Sequence, residues 1–354
     1  MDVPIPLIEL AGTHREIGRQ IGEQTRDVIA RALAGYEVRF PALAGMTFAE
    51  AVEAARPYLR PAEEYLPRAV DMLRGIAEGA GAPFEQLLAL NCSEETTCAA
   101  DWVWPPGDGH CTSFAFTAGG RTVAGHNEDW YPDDIQALVV RRVRVRGGAE
   151  YISVGPAYYL PITGVTARGF STAANTVYFR DERVGVPNNV VLAGVLESAG
   201  LDEAAALIAG APRARGSNHL FADETGRILD VETSATRLAR LNGGACFAHT
   251  NHYVSAELAP GDASRSEGSP RRLARAYELL AAGLEDGTDP IELATSVLRD
   301  HADAPDSICG HWNDADAAQD QSVTTVSMVW EPAERRVRVA AGQPCEHEYV
   351  IYEL

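Results

Sequence analysis

Apolar residues follow two rhythms along the chain, and the rhythm changes at Cys111. Before it they recur every three or four positions, the helical period. Ile17, Ile21, Val28, Ile29 and Leu33 form one stripe, and Leu66, Val70, Leu73 and Ile76 form another. Thr13-His14-Arg15-Glu16 is a capping box, so a helix is predicted from Thr13 to near Gly35. Thr47-Phe48-Ala49-Glu50 repeats the signature and starts a shorter helix. A third helix is predicted over 62–77, stopped by Gly79 and Gly81, and a last turn or two after Pro83 reaches Leu90. This block reads as a helical layer covering a sheet.

After Cys111 the runs shorten and become β-prone. Strands are predicted at 112–117, 122–126, 137–145, 150–154, 170–174, 218–223, 227–232, 245–249, 323–331, 335–340 and 348–353. Helices are predicted at 188–199, 202–210, 269–282 and 288–300. Hairpins dominate, so the sheets should be largely antiparallel, with helices inserted in pairs. Between the two regimes lies Trp104-Pro105-Pro106-Gly107-Asp108-Gly109, which suits neither helix nor central strand. It is either a plain linker or an exposed processing site delivered to Cys111.

Gly119-Gly120 between two β-prone runs is a hairpin signal. With these as the turn, Ala118 pairs with Arg121, and Cys111 falls opposite Glu128, flanked by Asn127 and Asp129. A three-residue loop would move its partner to Asn127 or Asp129. Each way one thiol stands beside a carboxamide and carboxylates, a nucleophile with polar orienters.

The 354 residues suffice for one large domain or two ordinary ones. A net charge of −20 argues against nucleic acid and anionic membrane as partners. All 30 basic residues are arginine, which excludes Schiff-base, P-loop and Ser-Lys chemistry. No apolar run approaches the roughly 18 residues of a membrane span. Met1-Asp2-Val3-Pro4 has no signal-like character, so a cytoplasmic protein is expected. The six cysteines make no CxxC pair and no disulfide framework. Cys92, Cys98, His110 and Cys111, or His249 with His252, match no zinc spacing, and no metal or cofactor is expected. Three strand-end asparagines, Asn175, Asn218 and Asn251, are turn residues or donors for a developing oxyanion.

Several motifs together resemble the peptidase C45 group of N-terminal-nucleophile hydrolases, which includes the penicillin-forming acyltransferases. They are Gly12-Thr13 with Glu16-Ile17-Gly18 and Gly22, Arg74-Gly75-Ile76-Ala77 with Gly79-Ala80, and Leu90-Asn91 with Glu95. Cys111-Thr112 followed by Asn127-x-Asp129 is the core. Asn175, His249-Thr250-Asn251-His252, Ser307-Ile308-Cys309 and Gly342-x-Pro344 complete the series.

The resemblance implies a four-layer αββα sandwich, an α+β fold with two antiparallel sheets between helical layers. It implies that the precursor cuts itself at His110-Cys111, giving a helical fragment 1–110 and a fragment 111–354 that stay associated as one domain. His110 departs from the glycine common there. The implied roles are Cys111 as nucleophile, Asp129 orienting its freed amine, Asn251 as oxyanion donor, and Asn175 holding substrate or amine. Asn127, His249 and Thr250 would be supports. The implied activity is cleavage of a small linear N-acyl amide through a Cys111 thioester, in secondary metabolism. Transfer of the acyl group to an amine, or from acyl-CoA, is the alternative. A non-catalytic or zinc-stabilised binding protein on the same fold is the alternative of another class. Penicillin-forming members carry an arginine where Gln321 stands, so a different amide is expected as substrate. The partner is a small molecule, and homo-oligomer formation is left open.

Overall fold

Two sheets carry the fold of the computed structural model, which describes residues 5–99, 111–264, 268–313 and 322–354. The larger has eight strands in the spatial order β1 (Leu7–Gly12), β4 (Leu138–Val145), β5 (Glu150–Pro156), β6 (Gly164–Thr166), β7 (Phe170–Asn175), β8 (Ser217–Asp223), β9 (Ile228–Thr233) and β10 (Leu238–Asn242). The smaller has six, ordered β11 (Cys246–His249), β2 (Thr112–Ala118), β3 (Arg121–Trp130), β12 (Val323–Glu331), β13 (Arg336–Ala341) and β14 (Val350–Glu353). The described pairings are antiparallel except β1 with β4.

Strand alternation sorts the apolar residues into three cores, hence four layers. On β4, Val139 and Val143 pack against helices, while Leu138 and Val140 face the other sheet. On β2, Ala115 enters the inter-sheet core with Met328 and Trp330, and Phe114 and Phe116 turn outward. They meet α9 (Gly268–Asp286) and α10 (Pro290–Leu298) through Ala276, Leu280 and Leu293. The opposite helical layer holds α1 (His14–Gln24), α2 (Arg26–Ala44), α3 (Phe48–Tyr65), α4 (Pro67–Ala80), α5 (Phe84–Asn91), α6 (Ser93–Ala99), α7 (Asn188–Val195) and α8 (Leu201–Gly210). The architecture is the αββα sandwich.

Helices α1 and α4 pack backbone to backbone. A Cβ on Gly18 would lie 2.0 Å from the Met72 carbonyl oxygen, and one on Gly79 2.0 Å from that of Arg19. No side chain fits at either position, which gives these glycines a packing reason.

Some element boundaries differ from expectation. The helix predicted from Thr13 breaks at Thr25, whose hydroxyl donates to the Ile21 carbonyl. Its continuation runs through Gly35 to Ala44, because Tyr36 and Phe40 beyond the glycine are buried. The helix after Thr47 extends to Tyr65 on the buried stripe Ala51, Ala55, Tyr58 and Ala62. β1, β6 and β10 were not expected. β1 and β10 are sheet edges and β6 has three residues, too short for a period-2 signal.

Candidate active site

The β2–β3 hairpin has the register that Gly119-Gly120 dictates. Both glycines take positive φ, Ala118 pairs with Arg121, and Thr112 pairs with Asn127. One step further, Cys111 faces Glu128, with Sγ 3.7 Å from Oε1. Cys111 and Ser113 point between the sheets, and Thr112 and Phe114 point to α9 and α10. The thiol is buried. Burial first, then the Glu128 and Asp129 carboxylates, hold it well above the usual thiol range. The Asp129 backbone N–H and Arg272 act the other way. The sulfur of the uncut chain is therefore a thiol at neutral pH and needs a base before it can attack.

Arg272, in the first turns of α9, binds the site together. It is fully buried, with Nη1 donating to the Cys111 carbonyl at 2.9 Å and to Thr112 Oγ1 at 3.1 Å. Nη2 donates to Asn251 Oδ1 at 3.1 Å. This fixes the Asn251 amide orientation. One of its N–H groups meets the Thr176 carbonyl at 3.1 Å, and the other remains for a ligand. Sequence reasoning missed Arg272, although a signal existed: Arg272, Ala276 and Leu280 share the buried stripe of α9.

Asp129 lies on the helix side of β3, against Gly310 and Thr324. Neither carboxylate oxygen has a hydrogen bond of good geometry. Burial pushes this carboxyl up to about 6, while the nearby Thr324 hydroxyl and Arg272 restrain it. A buried carboxylate without a donor is a receptor for an ammonium. Asn127 points the same way and donates to the Leu298 and Ile308 carbonyls, both at 2.9 Å, a structural tie.

Asn175 is reached through the other face. Ser113 Oγ donates to Asn175 Oδ1 at 2.8 Å and lies 2.7 Å from His126 Nδ1. His126 Nε2 lies 2.8 Å from Glu128 Oε2, and Glu128 Oε1 accepts from Trp130 Nε1 at 2.6 Å. The Ser113 proton goes to Asn175, so Nδ1–H donates to Ser113. One proton then lies between His126 and Glu128, whichever of them formally owns it. The Asn175 Nδ2 is buried without a partner.

His249, Thr250 and Asn251 leave β11 under a second histidine–carboxylate pair. His249 Nδ1–H donates to the Thr250 carbonyl at 2.6 Å, and Nε2–H to Glu232 Oε1 at 2.9 Å. Burial opposes the charge, but the Glu232 hydrogen bond and Asp230 outweigh it, and His249 titrates above its ordinary value. Glu232 also accepts the backbone N–H groups of Val254 and Ser255. Thr250 Oγ1 donates to the Ser269 carbonyl, and Ser269 Oγ accepts the Asn251 N–H. The asparagine is thus fixed from both sides.

A cavity of about 50 Å³ adjoins the hairpin, lined by Glu128, Trp130, Asn175, Thr176, Tyr159 and Met328. Glu94, Glu95 and Asp134 also face it. Glu94 is paired with Arg215, and Asp134 with Arg39. Glu95 is pushed up by burial to about 7. Two convergent sets beside the site could in principle chelate a cation, Cys111–His126–Glu128 and Asp230–Glu232–His249. In the first, Glu128 accepts from Cys111 and bonds His126; in the second, His249 bonds Glu232 and Asn218 Nδ2 donates to Asp230. His110, Gln321 and the Pro-Pro-Gly stretch lie outside the described residues, as does the Cys98 side chain. Cys92 is buried away from the hairpin in the helical core, and burial holds its thiol well above the usual range.

No helix among the described residues is long and apolar enough to cross a membrane. The family model of acyl-coenzyme A:6-aminopenicillanic acid acyl-transferase matches residues 116–346. Similar solved structures include penicillin V acylase from Agrobacterium tumefaciens, at 13% identity over 65% of this chain and 83% of that one, TM-score 0.45. A variant of conjugated bile acid hydrolase from Clostridium perfringens matches at 13% identity over 69% and 97%, TM-score 0.48.

Proposed function

The chain belongs to the acyl-coenzyme A:6-aminopenicillanic acid acyl-transferase family, and from that premise we propose a self-processing cysteine amidohydrolase or acyltransferase. The observation that carries this reading is Cys111 at the start of β2, its carbonyl and the Asn251 amide held by one buried arginine. Cleavage before Cys111 would give fragments 1–110 and 111–354 and free an α-amine with pKa near ~8. That amine is the missing base. It takes the thiol proton, and the sulfur attacks the amide carbonyl carbon. Asn251 donates its remaining N–H to the oxyanion, and the ammonium rests against Asp129. The proton passes to the leaving nitrogen, the C–N bond breaks, and a thioester remains for water or an amine to resolve.

The cavity supports a small amide whose bound group is neutral or cationic rather than anionic. Glu128 and Glu95 face it without an arginine partner of their own in hydrogen-bond contact, and Asn175 offers an amide N–H. Arg168 and Arg180 are exposed and do not line it. Hydrolysis of such N-acyl amides in secondary metabolism is the favoured role. The test is amine release from a panel of N-acyl amides, with isopenicillin N beside them. Neutral and amino-substituted acyl groups should turn over fastest, and faster turnover of isopenicillin N would overturn the substrate reading.

A further inference from the structure

A second constellation lies on the far side of Asp129, formed from residues spread over 45 positions, 301 to 345. His301 Nε2 lies 2.9 Å from His311 Nε2, and His311 Nε2 lies 3.6 Å from Cys309 Sγ and 3.2 Å from Cys345 Sγ. The two sulfurs are 3.7 Å apart. All four ligand atoms fall within 4.8 Å of one another.

Hydrogen bonding does not account for this convergence. A ring nitrogen has one proton or one lone pair, so His311 Nε2 can satisfy one of its three neighbours, not all three. Nor is it a disulfide, whose sulfurs would be about 2.05 Å apart. A tetrahedral zinc ion accounts for it. Zn–S bonds of about 2.3 Å and Zn–N bonds of about 2.0–2.1 Å give edges of roughly 3.8 Å for S···S, 3.6 Å for S···N and 3.3 Å for N···N. The observed edges follow that order. The surroundings agree as well. Glu346 Oε1 lies 3.7 Å from His311 Nδ1, where an outer carboxylate would orient a metal-bound imidazole. The Cys309 N–H donates to the Asp300 carbonyl at 3.0 Å, and Arg299 Nε to the Pro344 carbonyl at 2.7 Å. The first segment is thus held by its own backbone, and the second is tied to it by the Arg299 side chain.

We propose that Cys309, Cys345, His301 and His311 form a structural zinc site that fastens the 299–313 segment to the turn around Cys345. On binding, the two thiols lose their protons to solvent and the imidazoles bind neutral, so the filled site has no net charge. Four protein ligands leave no open position for substrate, which separates this site from the chemistry at Cys111. Its influence there is positional. Gly310, between two ligands, donates its N–H to Thr324 Oγ1 and accepts the Thr324 N–H, directly behind Asp129. None of the zinc spacings considered from the sequence included this quartet.

The test measures metal in full-length protein produced in zinc-supplemented medium and purified without chelator under reducing conditions. About one zinc per chain is expected. His301→Ala and Cys345→Ser change exposed residues and should fold, each retaining less than roughly a tenth of the metal. Cys246→Ser, which removes a thiol outside the quartet, should retain it all. Cobalt added to the chelator-stripped protein should give the visible spectrum of a tetrahedral thiolate complex. Zinc retained by both quartet variants would overturn the proposal. So would wild-type protein with two alkylatable thiols at Cys309 and Cys345, no zinc and no cobalt spectrum, or a Cys309–Cys345 disulfide in reduced preparations.

Discussion

Two histidine–glutamate pairs, one joining β11 to β9 and one within β3, do opposite things. His249–Glu232 is closed. Both side chains have no exposure, the histidine spends both N–H groups, and the glutamate accepts two backbone N–H groups besides. His126–Glu128 has the same chemistry but faces the cavity and the Cys111 thiol, and Glu128 keeps 17% side-chain exposure. A saturated pair rigidifies and positions Asn251. An incompletely saturated one beside a nucleophile can respond to substrate. The lesson is that role follows from what the remaining lone pairs and protons meet, not from residue type.

The largest effect that sharpens this contrast is at the thiol itself. Cys111→Ala should lower kcat by on the order of 10⁶ and leave an intact 38.0 kDa chain on a denaturing gel. Retained amide turnover would end the thioester mechanism. Next, Glu232→Ala leaves the buried His249 charge unpaired and should cost about 3–5 kcal/mol in urea unfolding. Glu128→Gln should cost under ~1 kcal/mol while altering kcat/KM. Equal losses of stability would erase the distinction between the pairs. Asn251→Ala should then lower kcat by about 10²–10³ with KM little changed, read by steady-state kinetics in protein that still cleaves.

The smallest effect concerns pH. Burial raises Glu95 and Asp230 to about 7 and Asp129 to about 6. A carboxyl raised in the folded state favours folding below its unfolded value and loses that contribution as pH rises through the folded one. Stability should therefore fall from about pH 4 towards 7 on account of these three groups. Glu95→Gln should flatten its share of that slope, between the ordinary 4.5 and about 7, in thermal melts across pH. An unchanged slope would refute the assignment.

Local signals were legible in the sequence. Gly119-Gly120 dictates the register that brings Cys111 to Glu128, and Thr13 and Thr47 make the two capping boxes they encode. Asn175 and Asn251 do stand at strand ends. What stayed hidden depended on distance. Arg272 lies on the apolar stripe of its helix, but its partners Cys111 and Asn251 are 161 and 21 residues away and meet it only when α9 is seated on β2. The 301–345 quartet has no compact spacing, because one segment precedes β12 and the other follows β13, and the antiparallel hairpin brings them to the same end. Glu128 reads in the sequence only as the residue opposite the thiol, since its bond to His126 depends on side-chain rotamers that strand alternation leaves open.

The parallel pairing of β1 with β4 also sets an order of events in the ribosome's own time. Leu7 pairs with Val140, so the first strand is made 133 residues before its partner. At about 5–20 residues per second it waits roughly 7–27 s without a strand partner. Glu9, which later meets Arg142, keeps a charge on that waiting strand. Slower elongation through residues 12–140 lengthens the interval in which β1 lacks its partner, while the strands from β5 onward are still to be made.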